Sequence, residues 1–536
     1  MKAASIFLLL IATVVATAAQ NVTTPSARPQ SNFINVDGAD LKSRMSDAIK
    51  LGSAQRRRFW LAYSFDVKPG IAFDVSFIGS RGASFVVNGS TVSSAFETRN
   101  LGVFLLHENA GLVRAEIYNL DRPRDYAGYP VYWLGKATGE ESLPLLRGMI
   151  DTVQSHETAE RLVDAIGAHD APSVAQMLRD LIRTAKSERA RTTAVSWLGQ
   201  LPGQVEFLAT LVRDERAHAN VRREAAEAIG ESGETSALTV LEDLYRAVTH
   251  REVKRELLEA IADERFDAAS VGFLIQTVER DPDRELRATA LEGLAAKTDT
   301  RSFEALEKAA HDANGGVELQ RSAVEAISER SDTEAIPLLK KIARSHPRRD
   351  VRQEALERLG ERPEQLPFLR ELANDRSESL ELRRSAIEAI AESENGDAIA
   401  TLKQLFSSVN HRELKEMIIE SIADSPDRAE AISFLLGLAR SESDGEVRES
   451  ALSALGEMND ERAVDALVQF YDAARDEQTK NEVLDALGEA DSPRALQKLI
   501  AVAQRDPIMK LRKRAVELIG ESDDPVAIKF IEQLIK

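Results

Sequence analysis

Two histidines recur in the same setting, as Thr249-His250-Arg251-Glu252 and Asn410-His411-Arg412-Glu413. An imidazole beside a carboxylate can move protons or hold a metal. The same four residues also spell a helix start, in which Thr249 or Asn410 caps and the glutamate three residues on reaches back; that reading is adopted. Arg56-Arg57-Arg58 could hold an anion, but ahead of the aromatic run at Phe59 it reads as a solvated strand start. The chain has no H-E-x-x-H, P-loop or G-x-S-x-G. It has no cysteine, which excludes disulfides and thiolate chemistry. Carboxylate pairs are too common to single one out. No catalytic, cofactor-binding or metal-binding residue is expected, and the chain reads as a non-enzyme.

The elements that would position such residues fall into two kinds. The 536 residues carry 69 Lys and Arg against 88 Asp and Glu, a formal charge of −19, which argues against a nucleic-acid binder. Up to Trp133 there are 14 basic and 10 acidic residues; from Leu134 on there are 55 and 78. Fifteen of the 28 aromatic residues lie between Phe33 and Trp133. The first residues read as an address. Lys2, an apolar run from Ile6 to Val15 and the small residues Ala16-Thr17-Ala18 predict a signal peptide over 1–18 and a linker over 19–32, hence an exported, soluble chain, periplasmic or extracellular. No later apolar run is long enough to span a membrane.

Over 33–125 apolar residues alternate with period two, as in Phe59, Leu61, Tyr63, Phe65 and Val67, with turns at Lys68-Pro69-Gly70, Asn88-Gly89 and Asn109-Ala110-Gly111. This predicts a small antiparallel β domain of about six strands, a sandwich or rolled sheet, after a short helix near Ala39 to Leu51. The remainder, 126–536, repeats one phrase. VRREAAEAIGES at Val221 returns at Val253, Leu286, Leu319, Val351, Leu382, Leu414, Val447, Thr479 and Leu511, with weaker copies at Thr158 and Ala190. The twelve anchors stand 31 to 33 residues apart. Positions 1, 5, 6 and 9 of each phrase are apolar, one face of a helix, and a second helical pattern such as TEAIPLLKKIAR follows. About thirteen helix hairpins of ~32 residues must stack to bury those faces.

The V-R-x-x-A-x-x-A-[IL]-G helix followed by A-[IV]-x-x-L-x-x-[LI] resembles HEAT-like repeats, of the short variety found in phycobilisome bilin lyases. The fold class expected is mainly α, a right-handed α-solenoid preceded by the β domain. The degenerate first unit is set at Tyr126, because Val131-Tyr132-Trp133-Leu134-Gly135 aligns with Val195-Ser196-Trp197-Leu198-Gly199. It would couple the β domain to the stack. Residues 221–263 and 382–424 match at 20 of 43 positions, more than the shared repeat requires, which points to duplication of a five-unit block. His156-Glu157 and His107-Glu108 resemble the His-Glu pairs of HEAT-like deoxyhypusine hydroxylases. Those enzymes need several pairs on symmetric helices, so a di-iron site is not expected.

Position 2 of the phrase is Arg or Lys in ten of twelve units, including Arg222, Lys254, Arg287, Arg352 and Arg512, and position 7 is acidic in ten, including Glu227, Glu259, Glu292 and Glu517. This register predicts a polar ladder between neighbouring units, with an anion-binding track as the rival. Alanine at position 5 in eight units predicts that Ala225 and Ala386 mark the closest approach of first helices. By the resemblance, the second helices line the concave side. Their variable positions Glu234, Thr235, Thr239 and Glu242, then Asp332, Pro337 and Lys340, then Asp460, Glu461 and Asp465, form the expected recognition face. The expected function is an exported scaffold that binds protein or peptide, basic in character, with no nucleic-acid partner and no cofactor. Two rivals are a bilin-lyase-like enzyme or chaperone, and a β domain that recognises while the solenoid acts as a spacer.

Overall fold

The computed structural model describes residues 33–55, 58–74, 77–80, 84–87, 90–93, 100–108, 110–121, 124–393 and 398–535. The expected signal peptide and linker, Arg56, Arg57, the Asn88-Gly89 turn and Asn109 lie outside them. The chain divides into two compact units, residues 1–274 and 275–536.

The first unit opens with a five-stranded sheet in the order β1-β9-β2-β7-β8. Its strands are β1 (Ile34–Asn35), β2 (Phe59–Ser64), β7 (Leu101–Glu108), β8 (Gly111–Asn119) and β9 (Val131–Lys136). β7 pairs antiparallel with β2 and β8, whereas β9 runs parallel to both β1 and β2. The sheet is therefore mixed, not antiparallel as expected. Two hairpins, β3–β4 (Ile71–Asp74, Phe77–Ser80) and β5–β6 (Ser84–Val87, Ser90–Ser93), pair only within themselves among the described residues. The helix near the start runs over Leu41–Ala54.

β9 corrects the reading of the first repeat. The segment aligned with the helix at Val195 is a strand, with Leu61 opposite Tyr132 and Ala62 opposite Trp133. Its residues Val131, Tyr132, Trp133 and Leu134 are all buried, because neighbours cover both faces. Trp133 packs with Trp60, Phe104 and Tyr126 on one side, and Tyr132 meets Phe59 edge-on at 5.8 Å on the other. Over five residues a doubly buried strand and a buried helix carry the same apolar pattern. The β region thus extends past residue 125, and the first helix of the stack is Gly139–Ile150.

Beyond it, twelve first helices carry the twelve anchors and alternate with second helices. Positions 1, 5, 6 and 9 are buried in every unit except at Thr479 and Val516, which are half-buried; Val221, Ala225, Ala226 and Ile229 show the pattern. Ala225 and Ala386 are fully buried. A close approach between first helices also lies where a glycine at position 10 meets position 8 of the next phrase, as at Gly199 and Ala228 or Gly230 and Ala260. The helices at Arg251 and Arg412 begin one residue later than expected: the N-caps are His250 and His411, not Thr249 and Asn410, and neither cap makes a side-chain hydrogen bond. The expected capping box is not formed there. One does form at Thr138, whose hydroxyl accepts from Glu141 N while Glu141 returns the bond.

The sheet covers the first hairpins. β8 lies against the helix His156–Ala168, and Thr158 Oγ1 donates to the Val113 carbonyl at 3.3 Å. Phe65 stacks on His169 at 4.1 Å. A buried chain of hydrogen bonds joins the layers, with Tyr63 Oη 2.8 Å from Ser142 Oγ and Ser142 Oγ 2.9 Å from His169 Nε2. His169 Nδ1 lies 2.6 Å from the Ala165 carbonyl.

Candidate functional site

In the first unit, four consecutive first helices open a cleft of about 550 Å³. It is lined by His156; by Glu188, Arg189 and Thr192; by Asn220, Arg223, Glu224 and Glu227; and by Glu256. Each set comes from the same end of its phrase, so the repeat itself brings them together. Arg223 is committed to Glu256, with Nε at 2.9 Å and Nη2 at 2.8 Å from Oε2. Glu188 takes Asn220 Nδ2 at 2.7 Å and faces His218 Nδ1 at 2.8 Å. His156 Nδ1 lies 3.1 Å from Ser187 Oγ. Burial raises the Glu224 carboxyl above the usual carboxylate range, against the hydroxyl of Ser196, which donates to it. Glu227 stands at the cleft mouth. It is pushed up to about 7, by lost hydration first and then by Glu224, Glu256 and Glu231. The cleft continues into a second hollow of about 230 Å³, where Glu227, Glu231, Glu256, Glu259 and Asp263 meet Arg265.

This arrangement can hold cationic groups; it offers no nucleophile. Ser142 touches His169 but is fully buried, so it serves packing. Among the described residues no group of three or more His, Asp or Glu is placed to hold a metal ion, and no helix is long and apolar enough to cross a membrane. His107 is buried and stacked on Phe59, while Glu108 pairs with Arg58 at 3.1 Å.

The position-2 arginines form the expected ladder at Arg448, which pairs with Glu482 of the next first helix at 2.9 Å, but not at three others. Arg222 Nε donates to the Val212 carbonyl at 2.9 Å, Arg383 Nε to Ala373 at 2.8 Å and Arg352 Nη1 to His346 at 2.8 Å. Each binds back to the end of the second helix before it, where unsatisfied carbonyls and the helix dipole favour a cation. Other ties between neighbouring first helices start from position 3, as in Arg223 with Glu256 and Arg321 with Glu354. Position-7 acids differ in role: Asp164 is buried and accepts from Trp197 Nε1 at 2.9 Å, Asp485 pairs with Arg514 of the next first helix at 2.6 Å, Glu227 is in the cleft, and Glu517 turns to Arg514 of its own helix.

The ten residues of the expected recognition face lie on separate second helices or the turns before them, and most acidic ones are engaged. Glu234 accepts from Gly203 N at 2.7 Å and Gln204 N at 3.2 Å. Asp332 takes Arg362 Nε at 3.0 Å, and Glu461 accepts from Ser492 at 2.9 Å. Asp460 caps its helix through Arg462 N at 2.8 Å, and Asp465 pairs with Arg494. Glu242 pairs with Arg246 one turn on, at 3.1 Å. Lys340 lies over the Phe368 ring at 4.7 Å. Thr235, Thr239 and Pro337 stay exposed.

Sequence reading passed over the aromatic residues of these helices. Phe207, Phe273, Phe368 and Phe434 each precede a leucine. Each carries a cation from the second helix before it: Arg179 at 5.1 Å, Arg246 at 5.1 Å, Lys340 at 4.7 Å and Lys403 at 5.4 Å. The recurring Phe-Leu pair was the available signal. The duplicated block keeps its contacts too. Lys254 sits 4.3 Å over Tyr245 and Lys415 sits 4.7 Å over Phe406. Tyr245 meets Phe273 at 88° and Phe406 meets Phe434 at 89°.

Comparison with known proteins agrees with this architecture. No curated protein matches the chain. Among solved structures, human deoxyhypusine hydroxylase in complex with glycerol is similar at 19% identity and a TM-score of 0.23, over 62% of this chain and 96% of that one. Kap121p bound to Pho4p is similar at 14% identity and a TM-score of 0.36, over 71% of this chain. The match spans about half of that karyopherin, 49%. Likeness this remote says nothing about activity. The sequence pattern of HEAT repeats matches residues 186–262, 271–360, 341–423 and 410–486, more than half of the length, and the chain belongs to the HEAT-repeat family.

Proposed function

We propose that the chain is an exported, non-catalytic scaffold that binds protein or peptide segments bearing lysine or arginine. The observation that carries this reading is the cleft in which Glu224, Glu227 and Glu256 from two neighbouring hairpins face one another, with Arg223 already bound to Glu256. A cationic side chain of a partner complements those carboxylates and relieves their mutual repulsion. Family membership supports a binding role, because a repeated frame leaves its surface free to diversify. Export rests on the pattern of residues 1–18. The binding surface is assigned to the first-helix side of the first unit, since the acids of the second helices are engaged by their own frame.

A zero-length carbodiimide coupling of carboxylates to partner amines, in the native host, tests this. Coupled peptides should map to Glu224, Glu227 or Glu256. Coupling confined to residues 33–136 would make the β region the recognition module instead.

A further inference from the structure

The second unit holds a slot of about 290 Å³ between two of its second helices. The floor is apolar: Ile275 and Val278 come from one helix, Ala305 and Ala309 from the next, Thr300–Ala310. The repeat explains why it is open. In the six second helices that follow, the residue three places after a buried leucine is Ile342, Leu372, Leu405, Leu438, Phe470 and Val502, each of them buried. After Leu306 that residue is Ala309. One turn earlier, Ala305 stands where the next helix has Leu338. Two positions that carry larger side chains in the next hairpin therefore carry only methyl groups here, and both line the slot. The charges around the rim are mostly compensated. Lys308 binds Glu279 at 2.6 Å, Arg301 binds Asp299 at 2.7 Å, and Arg287 lies 3.5 Å from Asp312. Glu304 is exposed and is the one charged lining residue without a partner among the described residues.

We infer that this slot binds a small organic cation, a hydrocarbon body about the size of a benzene ring that carries one ammonium group. The volume sets the size. An apolar cavity of ~150 Å³ holds one benzene molecule, so this slot has room for a ring and a short chain. An apolar floor with a few polar groups at its edge is the usual make-up of a ligand pocket. The rim sets the charge. Paired ions cancel one another, and the remaining carboxylate of Glu304 favours an ammonium over a neutral or anionic group of the same shape. The slot lies in the other unit from the carboxylate cleft, and its apolar floor selects the hydrocarbon body that the cleft does not ask for.

Saturation-transfer NMR of phenethylammonium with the full chain reads this directly. Saturable binding is expected, tighter than that of neutral phenethyl alcohol and of the anion phenylacetate. Ala309→Leu places in the slot a side chain of the kind the later helices carry, and should abolish binding. Ala305→Leu, at a half-buried position, makes the same test without touching a buried one. Glu304→Gln should weaken the ammonium up to about fivefold, the limit for an exposed pair, and leave the alcohol unchanged. Circular dichroism of each variant checks that the hairpins stay folded. Absence of saturable binding, or phenylacetate binding as tightly as the ammonium, would overturn the proposal. So would an ammonium affinity untouched by Glu304→Gln. Full binding by a folded leucine variant would overturn it as well, and would place the amine elsewhere, as in the carboxylate cleft.

Discussion

A Cβ built on Gly199 would lie 2.6 Å from the Cβ of Ala228. The same relation recurs between Gly230 and Ala260, at 3.0 Å, so where a glycine stands at position 10 the helix that follows demands a small residue. Gly199→Leu must push two first helices apart, and overpacking of this kind costs about 1–3 kcal/mol. In a stack of nearest-neighbour contacts the damage stays local. Hydrogen exchange should show protection lost over roughly residues 188–231 and kept over 445–489. Uniform loss along the chain would mean that the repeats fold as a single block.

The buried arginines and the surface arginines should separate in the same way. Arg222 is 4% exposed and satisfies the Val212 carbonyl. Arg222→Leu leaves that acceptor bare, a loss of about 1–3 kcal/mol. Its neighbour Arg223 makes a partly exposed pair with Glu256, worth about 0–1 kcal/mol. Urea denaturation of Arg222→Leu and Arg223→Leu should rank them in that order. Equal losses would return position 2 to the role of surface ladder.

His169 makes the junction between sheet and helices sensitive to acid. Burial depresses its imidazole to about 4 from 6.5, against the pull of the Ala165 carbonyl and Asp66. The unfolded chain therefore takes up the proton first as pH falls. Stability from keeping His169 neutral is whole above about 6.5 and is lost progressively down to about 4. A gap of this size corresponds to about 3 kcal/mol. His169→Asn should lower stability near neutrality but flatten its decline between about pH 6.5 and 4.5. A decline as steep as that of the wild type would contradict the assignment.

What the sequence made legible was whatever depends on period. The hairpins, their anchors and their buried positions follow from spacing alone, because stacking requires the same apolar face in every unit. Val131 to Gly135 was misread because its residues are buried on both sides, which erases the alternation that marks a strand. The proposed cleft was not legible for a related reason. Variation at Asp332, Asp460 and Glu461 was taken for freedom to bind, but each is held by a different local partner. Glu224 and Glu227 looked like framework because their positions recur. Their meeting with Glu256 in one cleft depends on the offset between neighbouring helices, which a single repeat does not display.

Glu227 should make binding depend on pH. With its carboxyl pushed up to about 7, the cleft gains negative charge as pH rises through neutrality. Affinity for a cationic peptide should therefore increase between about pH 6 and 8. Glu227→Gln should abolish that increase while leaving the fold intact, since the side chain stands at the cleft mouth.

The most direct test is the affinity of the full chain for an arginine- and lysine-rich peptide, measured by titration calorimetry at low and physiological salt. Glu224→Gln combined with Glu227→Gln keeps the shape of the cleft and removes two charges, each worth up to ~1 kcal/mol in a solvated pair. Binding should fall about tenfold, and most of its salt dependence should go with it. The second-helix control, Thr235→Ala with Thr239→Ala, should bind as the wild type does. If the cleft variant binds unchanged and the control is the one that fails, recognition lies on the second helices and the carboxylate cleft is not the site.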